Sequence, residues 1–405
     1  MDIARKKSFT DFFLNSKLLM GIYILPFVEP IYCNYLHKVD LFFNLCYIAA
    51  LCLFFLIMLE NKFKVSRALS CLIAFFFTVS IVTIFASYSE TLVINYIGKS
   101  IILCCAAGIS MKKHNYKFIE TLQFILECII FINLISILMF PNGLYTNATD
   151  YIVNTENWFM GFKNVQIRTM LPAITLSLAN SYRKYGKITV RSWLLYIIVC
   201  VSTFLTKSST AIVGIVLFSI IAICLRYQVW RKLFSIKTAL IGMITIFLLI
   251  YFFHIQNAFS FLLEDVLGKD VTFHNRLIIW SRSVSLISKN ILGGIGCQPT
   301  DEYYALLGAP HSHNYYLHTM LTGGIIGGLF IIGFYFTISK KLVYAKRSIA
   351  AIAFQSMIIS FFIMGLTESL TATNIIYPIT LLAYYVNLFD DGGESVMYGG
   401  GRNDE

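Results

Sequence analysis

Of 405 residues, 58% are hydrophobic and 13% charged, where soluble globular chains carry about 45–50% and about 25%; mean hydropathy is +0.73. That excess of apolar surface cannot be hidden in a water-soluble core and must face lipid. The net charge of +11 would mark a nucleic-acid binder only if the basic residues shared one face, and here they are scattered between apolar runs. The chain opens on MDIARKKSFTDFFLNSK, a basic, polar segment (1–17) without the short apolar run and cleavage site of a removable signal peptide. A spanning helix needs about 20 mostly apolar residues. Such runs lie at 18–36, 41–59, 67–88, 92–110, 118–140, 166–182, 191–206, 209–226, 236–253, 314–338, 347–366 and 372–389, which is twelve. The run 166–182 holds Arg168 and Pro172. With the N-terminus inside, inner segments contain 23 Lys and Arg and outer segments 8, an asymmetry that predicts both termini in the cytoplasm. It also makes most of the positive charge topogenic.

Two outer connections are long, 141–165 and 254–313, and loops beyond about 12–15 residues are usually functional or disordered. Trp158, Trp280 and stretches such as LIIW and FLLEDVL predict order in both. Residues 18–389 thus read as one transmembrane domain, all-α and polytopic, with a long outer loop before the tenth span. The Gly-rich tail 390–405 predicts cytoplasmic disorder. No internal repeat is visible, which weakens an inverted-repeat transporter reading.

Of ten cysteines, eight lie inside apolar runs, where a thiol is a small hydrophobe. No Cys/His cluster has metal-ligand spacing, and neither a metal nor a cofactor is expected. Lys99 and Glu127 are charges within spans, which are costly. Counted from the outer ends their depths differ by roughly 9 Å, so a structural pair is the favoured reading, with Lys99 snorkelling outward as the other. The long loop ends in GAPHSHNYYLHTMLTGGIIGGLFIIG. There His311 and His313 stand two apart, Asn314 begins a helix, and Gly323, Gly324, Gly327 and Gly328 have the small-residue spacing of helix packing.

This stretch resembles the bacterial O-antigen polymerase and O-antigen ligase superfamily, whose hallmark is His, then Asn, Ser or Gln, nine residues, and GxxG. His313–Asn314 and Gly324–Ile–Ile–Gly327 fit that pattern without gaps. Upstream, NRLIIWSRSVSLISKNILGGIGCQ is similar to the family's Arg-x-x-x-Trp and Asn-Pro-Leu-Gly-x-Gly-like turn, with Ile291 where proline is common. FMGFKNVQIRTMLPAITLSLAN and TKSSTAIVGIV resemble further family regions, although Lys207 departs from the usual Ser-Arg-Thr start. The strong resemblance covers roughly residues 155–370.

The resemblance implies a C-type glycosyltransferase in the bacterial cytoplasmic (inner) membrane, using polyprenyl-diphosphate-linked oligosaccharides on the outer face. A diphosphate leaving group favours arginine, which stays charged and grips oxygens bidentately. Arg168, Arg276 and Arg282 are the outer arginines, each with lipid-phosphate anchoring as its plainer reading. Arg276 shares a helix face with Trp280; Arg282 lies about 120° round from Arg276 and does not share its role. His313 suits a general base, since an ordinary imidazole titrates near pH 6.5. Asn314, His311 and Glu368 are supporting candidates, Glu368 by orienting His313 or an arginine. No DxD motif occurs, which agrees with metal-independent transfer.

Polymerisation of repeat units for O-antigen or capsule is the expected activity. The alternatives are a ligase that moves the chain onto a lipid A core, a flippase or transporter of the same lipid-linked sugars, and a structural scaffold. Expected partners are the lipid-linked substrates, membrane lipid, and flippase and chain-length regulator proteins, with no nucleic acid.

Overall fold

The structure, a computed structural model, describes residues 9–61, 65–87, 93, 98–149, 152–253, 270–345, 348–370 and 373–390. The expected tail from 391 onward, residues 1–8 and positions 254–269 of the long loop lie outside them. Helices in chain order are α1 (Phe9–Asn15), α2 (Lys17–Ile24), α3 (His37–Glu60), α4 (Arg67–Ser87), α5 (Lys99–Lys112), α6 (Lys117–Met139), α7 (Lys163–Tyr185) and α8 (Val190–Leu205). They continue with α9 (Ser209–Cys224), α10 (Gln228–Leu233), α11 (Ile236–Phe253), α12 (Asp270–Lys289), α13 (Thr300–Leu307), α14 (Tyr315–Tyr344), α15 (Ile349–Met364) and α16 (Thr373–Leu382). Each apolar run overlaps one of these helices. Among the described residues, α3, α4, α6 and α14 are long and apolar enough to cross a membrane by length and composition. With the apolar helices around them they make the chain a helical polytopic membrane protein.

The 141–165 connection departs from the all-helical expectation. It forms an antiparallel sheet of β1 (Tyr145–Thr149), β2 (Ile152–Trp158) and β3 (Gly161–Phe162), in the order β1-β2-β3. The fully buried Trp158 anchors it by donating its indole N–H to the Phe140 carbonyl at 2.8 Å. β3 runs straight into α7, so the sheet sets where that helix begins. The N-terminal segment is more structured than its polarity suggests: Phe13 and Leu14 are buried in the main core, and the Thr10 N–H donates to Glu60 at 2.6 Å.

The expected Lys99–Glu127 pair does not form. Lys99 opens α5 and lies 3.9 Å from Glu29, with its ammonium 5.3 Å from the centre of the Tyr47 ring. Glu127 instead accepts from Arg191 Nε at 2.7 Å and from Gln123 Nε2 at 2.7 Å. Depth along an axis does not say which way a helix is turned, and α6 turns Glu127 toward the start of α8. Glu29 escaped notice because its span was counted as apolar throughout. Its neighbour Pro30 breaks that run, leaving short 3₁₀ turns at Leu25–Phe27 and Ile31–Tyr35.

The glycine-rich helix α14 holds the main surprise. Gly323 and Gly327 meet Phe75 of α4 as close-packing glycines do. Gly324 does something else: φ 58° and ψ −162° interrupt the helix. There the chain that leaves α12 docks against the break. Ile325 and Ile326 donate their N–H groups to the Ile291 and Leu292 carbonyls at 2.9 and 3.2 Å, while Ile295 donates to the Leu321 carbonyl at 2.7 Å. In an unbroken helix the Leu321 carbonyl would have received Ile325. A Cβ on Gly324 would stand 2.2 Å from the Leu292 oxygen, and one on Gly294 (φ 73°) 2.4 Å from the Leu321 oxygen. The two motifs carrying the family resemblance, the turn at 290–296 and the GxxG, are thus two halves of one backbone joint. Above it, Leu277, Trp280 and Val284 of α12 pack with Leu317 and Leu321 of α14.

Candidate active site

Three helices converge on Glu368, which follows α15 and is 5% exposed. Its Oε2 lies 3.4 Å from Arg168 Nη2 of α7, and its Oε1 lies 3.8 Å from Arg276 Nη2 of α12. The Thr210 hydroxyl, in the first turn of α9, donates to Oε1 at 3.4 Å. Arg168 is buried and Arg276 partly exposed. Two guanidiniums thus share one carboxylate. Their planar forks suit phosphate oxygens.

The histidines stand beside this cluster. His313 has φ 49°, unusual for a residue with a side chain. Its N–H donates to His311 Nδ1 at 3.3 Å, and the Ser369 hydroxyl lies 3.2 Å from the same nitrogen. His311 Nδ1 is therefore the acceptor and its ring proton sits on Nε2. The two rings are 4.2 Å apart between centres. His313 Nδ1 is buried without a hydrogen-bond partner among the described residues, a state that costs about 1–3 kcal/mol. Burial first, then the charges of Arg276 and Arg168, push His313 down to about 4; burial and the same charged neighbourhood hold His311 well below the ordinary range. His313 is thus not the ordinary imidazole titrating near 6.5 that its residue type suggests, but a ring held neutral.

Asn314 works through the backbone. Its Oδ1 caps α14 by accepting from Tyr316 and Leu317 N–H at 3.0 and 2.9 Å, and its Nδ2 donates to the Leu366 carbonyl at 3.0 Å. Tyr315 N–H donates to Gly365 at 2.7 Å. These bonds tie the His313 turn to the segment carrying Glu368 and Ser369. Arg282 is not brought into the cluster: it is exposed, and a Cβ on Gly308 would stand 2.8 Å from its Nη1. Thr210 and Ser369 were not singled out by sequence reasoning. Thr210 carries a faint signal, since it lies in the TKSST stretch that resembles the family.

Histidine, capping asparagine and helix break fall in one continuous stretch, and residues 194–332 match the family model described as O-antigen ligase. The chain carries an O-antigen ligase domain. That domain runs from α8 into α14 and includes Thr210, Arg276, His311, His313 and the joint at Gly324; Arg168 and Glu368 come from outside it. No curated protein matches the chain. O-antigen ligase family members are glycosyltransferase-like enzymes, ligases or polymerases, acting on lipid-linked oligosaccharides in membranes.

Proposed function

We propose that the protein is a polysaccharide polymerase that joins polyprenyl-diphosphate-linked repeat units on the outer face of the bacterial cytoplasmic membrane. The carrying observation is the meeting of Arg168 and Arg276 on Glu368 beside a partly buried, neutral His313. In the proposed step a hydroxyl of the acceptor repeat unit attacks the anomeric carbon of the donor sugar. The bond from that carbon to the diphosphate oxygen breaks, and its electron pair leaves on the polyprenyl diphosphate. The hydroxyl proton passes to His313. Arg168 and Arg276 take up the negative charge that grows on the leaving group, the kind of electrostatic help that matters most in a transition state.

The same arginines tie the base to the donor. They help to hold His313 down to about 4, and a diphosphate between them cancels much of that effect. Donor binding therefore raises the basicity of His313 at the moment when it is needed. Glu368 keeps the two guanidiniums at a common position before the donor arrives.

Purified protein mixed with lipid-linked repeat units should yield a ladder of chain lengths, and a product of a single added unit would sink the polymerase reading. The family description favours a second reading, a ligase that moves the finished chain to a lipid A core. It is separated from the first by supplying that core as the acceptor: a ligase forms one conjugate and no ladder.

A further inference from the structure

Helices α9, α14 and α15 each reach from the Glu368 cluster to the opposite end of the bundle, where a cavity of about 480 Å³ opens. Its polar lining is Gln228, Arg231, Lys232, Ser235, Ser339 and Gln355, with no acidic side chain among the residues that line it. Arg231 is held in place by its own backbone contacts: Nε donates to the Leu225 carbonyl at 2.8 Å and Nη2 to the Arg226 carbonyl at 3.2 Å. Those bonds use two of its five donors and fix the fork at the cavity wall. Ser235 caps the first turn of α11, accepting from Thr238 N–H at 3.0 Å, so that helix turns its positive end to the same space. Ser339 of α14 is 6% exposed and lines the cavity.

The surroundings are those of a lipid surface. Trp230, Leu233 and Tyr344 are exposed around the cavity, Tyr344 by 84%, as amphipathic rings are at a headgroup level. A neighbouring apolar cleft of about 260 Å³, with Trp193, Tyr196 and Phe218 in its lining, shares Ile352 as a common wall. We propose that the polar cavity binds the phosphate headgroup of an anionic phospholipid, with an acyl chain along the apolar cleft. The phosphate meets Arg231 and Lys232, and Ser339 supplies a hydroxyl donor from below. Basic pockets between membrane helices recognise such headgroups by this chemistry. The site is separate from the transfer chemistry at the other end and does not depend on it.

The test is native mass spectrometry of the purified full chain, titrated with phosphatidylglycerol, phosphatidylcholine or glycerol 3-phosphate. Phosphatidylglycerol should be retained in preference to both others. Lys232→Glu removes one positive charge and adds a negative one, so it should weaken that retention by about tenfold or more. Val343→Trp, at an exposed position of the cavity lining, should block the site without loss of folding, checked by an unchanged melting temperature. The proposal is overturned if both folded variants keep phosphatidylglycerol as the parent does, or if phosphatidylcholine binds equally. Glycerol 3-phosphate binding as tightly as phosphatidylglycerol would also overturn it, by assigning the cavity to a soluble phosphate.

Discussion

Adjacent glycines with different duties give the sharpest test of the joint. Gly324→Ala places a methyl group 2.2 Å from the Leu292 oxygen and 2.6 Å from the Gly293 nitrogen, both backbone atoms that cannot rotate away. Its dihedrals lie in a region that is essentially reserved for glycine, which adds about 1–3 kcal/mol of strain. Relief requires the 291–293 segment to retreat by roughly an ångström. That movement breaks the bonds from Ile325 and Ile326, each contributing about 0.5–1.5 kcal/mol. The total is about 2–6 kcal/mol. Gly323→Ala puts its methyl 3.3 Å from Val79 Cγ2 and 3.5 Å from the Phe75 ring. These are side-chain ends at a helical position, so its effect should stay within about 1 kcal/mol. Unfolding of both variants in mixed micelles by added SDS reads the difference directly. Equal stabilities for the two would refute the reasoning, because packing alone would then account for both glycines.

His313→Ala should remove detectable polymer and leave single repeat units on the lipid, a loss of about 10²–10⁴-fold, or about 3–5 kcal/mol; His318→Ala should be milder. His313→Gln can hydrogen-bond but cannot take a proton, so near-normal chain lengths from it would mean that His313 only positions substrate. Arg276→Lys keeps the charge and loses the planar fork, and turnover should fall strongly while the protein stays folded; full activity would reduce Arg276 to a generic anchor. Since His313 sits near 4 in the folded protein and near 6.5 when unfolded, the unfolded chain binds the extra proton first. Its contribution to stability is therefore intact above pH 6.5 and lost as pH falls toward 4, and kcat/KM should hold well below pH 6.5 before its acid limb; a limb centred at 6.5 would contradict the burial argument. Reporter fusions after residues 160 and 300 should read outside, and after 115, 187 and 343 inside; an inside reading at 300 would remove the outer-face site.

The helices were legible because each needs only a long apolar run, and such runs are local. The meeting of Arg168, Arg276 and Glu368 was legible only as chemistry. Their residue types suit a diphosphate, but nothing local says that Glu368 takes both arginines instead of His313. The Lys99–Glu127 pairing failed for the same reason, since partner choice depends on helix rotation and on a proline break near Glu29. The role of Gly324 was hidden for a different one. Its spacing to neighbouring glycines matches a packing stripe, and only the backbone angles separate a packed glycine from a broken helix. The depressed titration of His313 is likewise a property of burial and of the two arginines, not of its residue type.

Arg168 and Glu368 are 200 residues apart, and this separation bears on how the protein is made. At about 5–20 residues per second, the ribosome completes α7 roughly 10–40 s before it supplies the carboxylate that neutralises its buried arginine. During that interval Arg168 stands without this carboxylate, and Pro172 weakens the same helix. The ion pair that closes the cluster is thus among the last contacts the chain can make as it is synthesised. A chain truncated before Glu368 lacks the carboxylate that Arg168 and Arg276 share.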